Sequence, residues 1–95
     1  MTRYMVRRLA VAAQLRARGK DWIEVARAVN SRPTVCRRWP DRYPAEWRLL
    51  YDEARRMFWE EIDATARRVL AELAQSPDPR IRQQAQRLVE RYGRR

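Results

Sequence analysis

The chain has 95 residues, 22 Lys/Arg against 12 Asp/Glu, no His, one Cys and two Gly, with a formal net charge of +10. This length suits one domain or two small helical units with a limited core, so assembly is expected, and so cationic a surface calls for a polyanionic partner, nucleic acid first. A zinc site needs several Cys or His ligands, and Gly19 and Gly93 stand too far apart for a phosphate-cradling loop, so the expectation is a protein without catalytic residues, metal or other cofactor.

The first helix follows from Met5, Leu9, Ala12, Ala13 and Leu15, which recur at helical spacing as far as Gly19, a residue able to take the left-handed conformation that ends a helix. Asp21 with Glu24 forms a D-x-x-E capping pattern, so a second helix starts there, with Trp22, Val25, Ala26 and Val29 on its apolar face. Asn30 tolerates the positive φ of a tight turn, so the chain reverses at Asn30 and Ser31. Pro33 suits the first turn of a short third helix, whose buried side is expected from Val35, Cys36 and Trp39 before Pro40.

The two prolines of "WPDRYP" make residues 40–43 a hinge. From Pro44 to Gln75 nothing breaks a helix, and Trp47, Tyr51, Ala54, Phe58, Ile62, Thr65, Val69 and Leu73 step by three or four along one stripe. "SPDP" stops it. Asp78 caps a last helix with Pro79 at its first position and Ile81, Ala85, Leu88, Val89 and Tyr92 as its stripe. Arg80, Arg82, Arg87 and Arg91 fall on its wet face, with Arg94 and Arg95 as a tail. The fold class is therefore all-α: a three-helix N-terminal domain over 1–43, with its hinge at 40–43, and a helical hairpin over 44–95.

Charge follows the same division. Residues 1–43 carry eleven Lys/Arg against three acids, residues 44–75 five against seven, and residues 76–95 six against two. The cationic field is strongest on the first domain, while the middle segment is built for packing. A last helix of about 14 residues covers less than half of the long one, and Trp59, Ala66 and Leu70 widen the apolar face beyond its main stripe. The surplus points to self-association through the hairpin. Acids such as Glu60, Glu61 and Asp63 read as a solvated helix face.

The second helix, its turn and the third helix resemble the helix-turn-helix of DNA-binding proteins. Ala26 stands where the two helices approach closely, Asn30 replaces the usual turn glycine, and Cys36 and Trp39 occupy core-facing positions. In that frame Arg32, Thr34, Arg37 and Arg38 lie on the outer side, where side chains reach base edges and phosphates. Arg3, Arg7 and Arg8 on the first helix and Lys20 before the second are candidates for flanking phosphates. Cys36 reads as a small buried hydrophobe, and Trp22, Trp39 and Trp47 as packing residues.

Over most of its length, "GKDWIEVARAVNSRPTVCRRWP" followed by a long amphipathic helix and "SPDPRIRQQAQRLVERY" is similar to the small terminase subunits of tailed bacteriophages and prophages. That resemblance implies an N-terminal helix-turn-helix on double-stranded viral DNA and a hairpin that assembles subunits into a ring. The ring recruits a large ATPase/nuclease subunit to initiate genome packaging. It assigns DNA contact to Arg32, Thr34, Arg37 and Arg38, and ring contacts to Trp59, Ile62, Ala66, Val69, Leu70 and Leu73, with Ile81 and Leu88 as the hairpin's other oligomerisation residues. Many members continue beyond the hairpin, so residues 79–95 would have to meet the large subunit here. A dimeric helix-turn-helix regulator or transposase-associated protein, and a protein-contacting helix-turn-helix, are the competing expectations.

A bacterial cytoplasm is the expected compartment. Cys36 has no partner within the chain, no apolar run approaches the roughly 20 residues that span a bilayer, and the opening "MTRYMVRRLA" lacks the sustained apolar segment of a signal peptide.

Overall fold

The computed structural model describes residues 1–93, which are all-helical: α1 (Arg3–Ala17), α2 (Trp22–Ala28), α3 (Pro33–Cys36), α4 (Trp39–Arg42), α5 (Pro44–Leu73) and α6 (Pro79–Gly93). Arg94 and Arg95, expected as a tail, and the side chain of Tyr92 lie outside the described residues. Among the described residues no helix is long and apolar enough to cross a membrane.

Local chemistry sets the helix boundaries. Asp21 accepts from the Glu24 amide at 2.9 Å and opens α2, and Asp78 accepts from the Arg80 amide at 2.9 Å and opens α6. Both early reversals use the same device. Gly19 (φ 85°) follows α1 and Asn30 (φ 53°) follows α2 in the left-handed region, letting the next amide reach back. The Lys20 amide donates to the Leu15 carbonyl at 3.0 Å, and the Ser31 amide to the Ala26 carbonyl at 2.9 Å. The Leu15 and Ala26 carbonyls are thereby satisfied by backbone amides.

The third helix differs from its expected form. It ends after one turn at Cys36, and residues 40–43, expected to hinge, instead belong largely to a second helical turn, α4, with Pro40 in its first turn. Pro40 offers no amide and crowds the carbonyl four residues back, so it divides a helix; it is equally at home where a new one begins. The true break comes at Tyr43 (φ −126°, ψ 60°), which precedes Pro44 and is driven out of the α region by the proline ring.

Two compact units divide the chain between Phe58 and Trp59. The first extends past residue 43 to take in the first half of α5. Its core is Leu9, Ala12, Val25, Ala26, Val29, Cys36 and Trp39, with Met5, Leu15, Trp22, Tyr43, Trp47 and Leu50 packed around it. Val35, expected on the buried side, is instead 45% exposed, because the turn that buries Cys36 and Trp39 carries Val35 outward. A tilted ring pair joins α2 to α5, Trp22 lying 5.8 Å from Trp47; Arg16 of α1 covers the Trp22 ring at 4.8 Å, and Trp47 stacks on Tyr51 of its own helix at 5.9 Å.

The second unit, described by itself, is thinly packed. Ala66 and Leu70 on one flank of α5 and Ala74 just beyond its end are half-buried, and on α6 Ala85 is the one buried side chain among the described residues. Ile62, Val69 and Leu73, on the adjoining flank of α5, stay exposed, as do Ile81, Leu88 and Val89 on α6.

Ala26, 3% exposed, sits in the core where α2 meets α3. Replacing it with Leu overpacks that contact, and Ala26→Leu is expected to lower unfolding stability by about 1–3 kcal/mol, read as a fall in the urea midpoint at unchanged slope.

Candidate nucleic-acid interface

From Arg32 to Tyr43 the backbone winds right-handed through both short helices. The Cys36 amide donates to the Arg32 carbonyl at 3.1 Å, Arg37 to Pro33 at 3.0 Å, Arg38 to Val35 at 3.2 Å and Arg42 to Arg38 at 2.9 Å. Steps of three and four therefore sort these side chains into ridges. Cys36, Trp39 and Tyr43 form the ridge against the core. Arg32, Val35, Arg38 and Arg42 form a second, and Thr34, Arg37 and Asp41 a third, all of them exposed.

The predicted residues Arg32, Thr34, Arg37 and Arg38 are thus all exposed on this short helical segment. No ion pair or ring contact occupies the guanidinium groups of Arg32, Arg37 and Arg38 among the described residues, leaving their donors available to an external anion. An open depression of about 530 Å³ runs along this surface, lined by Val35, Arg38, Trp39, Asp41 and Arg42. Arg42 was missed in the sequence. Its spacing of four from Arg38 is the signal, hidden by reading Pro40 as the end of the helix.

Arg8 has a different occupation from the phosphate contact expected of it. Its guanidinium is half-buried and donates twice to the carbonyl of Val29, from Nε at 3.3 Å and Nη2 at 3.2 Å. It also lies 5.2 Å from the centroids of both the Tyr4 and the Trp39 rings. Val29 closes α2, so the cation meets a carbonyl oxygen at the negative end of that helix. Arg8 binds the protein to itself.

Arg3 and Arg7, both exposed, stand in the first turns of α1. Lys20 is also exposed, but the length of α1 sets it about 20 Å away from them. Arg3, Arg7 and Lys20 are thus all exposed, with Lys20 beyond the opposite end of α1. On α5, hydrogen bonding from Arg56 holds the Glu53 carboxyl below its ordinary range, an exposed pair outside the cationic ridges. Among the described residues no three metal-ligating side chains gather.

The chain matches no protein-family model, no curated protein and no solved structure.

The two kinds of arginine separate experimentally. Arg8→Ala removes a forked, charge-assisted pair of hydrogen bonds and two ring contacts, and should cost about 2–3 kcal/mol in urea unfolding, with Arg8→Lys recovering only part because an ammonium cannot reproduce the fork. Arg37→Ala with Arg38→Ala should leave the unfolding midpoint within about 0.5 kcal/mol of the parent.

Proposed function

We propose that α2, its turn and α3 act as a helix-turn-helix on double-stranded DNA, and that the second unit joins copies of the chain into a closed assembly. The protein is then a non-catalytic DNA-recognition adaptor of the small terminase kind, handing DNA to a separate ATPase/nuclease subunit. The observation that carries the DNA reading is the pair of exposed ridges holding Arg32, Thr34, Arg37, Arg38 and Arg42, set on a fully apolar core. Such a surface collects phosphate by charge and positions donors for base edges.

The exposed apolar surface of the second unit supports assembly. Trp59, Ile62, Val69, Leu73, Ile81 and Leu88 are between 37% and 54% exposed, while Ala66 and Leu70 are half-buried beside them. Covering these residues removes enough apolar surface to contribute on the order of 5 kcal/mol per copy before association costs. A segment with so few buried side chains gains most of its core from neighbouring copies.

Two measurements test the reading. With about six phosphates neutralised per module, affinity for a duplex should fall about 10³-fold between 50 and 200 mM salt, and Arg37→Ala plus Arg38→Ala should lower the salt slope by about two. A salt-insensitive association would point to a protein partner instead. Native mass by light scattering should show a discrete ring-sized assembly that Ile62→Glu with Val69→Glu disperses, weakening DNA binding through lost avidity. A dimer would favour the regulator reading, whose footprint shows half-sites one helical turn apart.

A further inference from the structure

An apolar residue interrupts the cationic surface. Val35 stands between Arg32 and Arg38 on the ridge that continues to Arg42, exposed over 45% of its surface and lining the same depression as Arg38 and Arg42. The core does not use it, since Cys36 and Trp39 fill the inward positions of this segment. As a β-branched residue it is a poorer helix former than most, so it brings α3 no propensity advantage. Its side chain stays half in solvent where every neighbour on the ridge is a hydrogen-bond donor.

In the major groove the one apolar feature on a base edge is the C5-methyl group of a pyrimidine, and aliphatic side chains contact it. Building on the DNA-binding reading above, we propose that Val35 reads a pyrimidine C5-methyl group in the major groove while Arg32 and Arg38 hold the flanking phosphates or guanine edges. The ridge supplies both requirements of that contact. Its arginines draw the backbone in by charge, and the low apolar surface between them excludes water from the methyl group. Thymine and 5-methylcytosine carry the same group, so the contact discriminates the methyl and not the base.

The test uses the full-length chain. Selection from a random 20-base-pair duplex pool gives its preferred sequence, and affinity is then measured for that duplex with each thymine replaced singly by deoxyuridine, and each cytosine by 5-methylcytosine. At one position loss of the thymine methyl should weaken binding about fourfold, the worth of one buried methyl group, and Val35→Ala should abolish that sensitivity. If the sensitive position is instead a cytosine strengthened by methylation, and Val35→Ala removes that gain, 5-methylcytosine is the group read. Methyl sensitivity that persists in Val35→Ala overturns the proposal, as does salt-dependent binding with no methyl-sensitive position; DNA binding itself stands in both cases. Failure to bind any duplex at low salt overturns the DNA-binding reading and this proposal with it.

Discussion

The guanidinium of Arg8 fixes the geometry on which the cationic face depends. By donating twice to the Val29 carbonyl it holds α1 against the end of α2, at the point where Asn30 turns the chain toward α3. By lying over the Trp39 ring it meets the same segment again at α4. The direction in which Arg32, Arg37 and Arg38 leave the surface is set between those two points. A cation placed at the negative end of a helix and against an aromatic ring is favourable at both, and removing it would leave a helix-terminal carbonyl without its charged donor.

The two units apply opposite packing strategies. In the first, a small set of side chains closes a core tightly, and α5 enters it through Trp47 and Leu50. In the second, alanines take the covered positions while larger apolar residues stay partly in solvent. Small residues allow helices to approach closely but bury little area, so this unit draws little stabilisation from its own side chains while Ile62, Val69 and Leu73 stay in solvent. Under the proposed function, weak DNA contact by a single module coupled to packing between copies would make binding strength a function of assembly.

Much of this was legible in the sequence where the cause is local. The aspartate caps, Gly19 and Asn30 act within a few residues of themselves, and the spacing of Leu9, Ala12, Val25, Val29 and Cys36 announced the core. Val35 was not legible, because one-turn helices lack the length over which periodicity distinguishes a face. Pro40 misled for a related reason: a proline marks a helix end and a helix beginning alike, and only the geometry at Tyr43 shows which applies. Arg8 could be recognised as a cation but not as an internal one, since its partner carbonyl lies 21 residues away.

Cys36 is fully buried beneath the ridges, between the turn that orients Arg37 and the ring of Trp39. As the chain's sole thiol, it makes the molecule its own reporter of breathing. A thiol reagent can reach Cys36 only when the helices around it separate, so the rate of its modification measures how often the first unit opens. Any ligand that binds the closed form slows that reaction in proportion to its occupancy, without a label or a second probe.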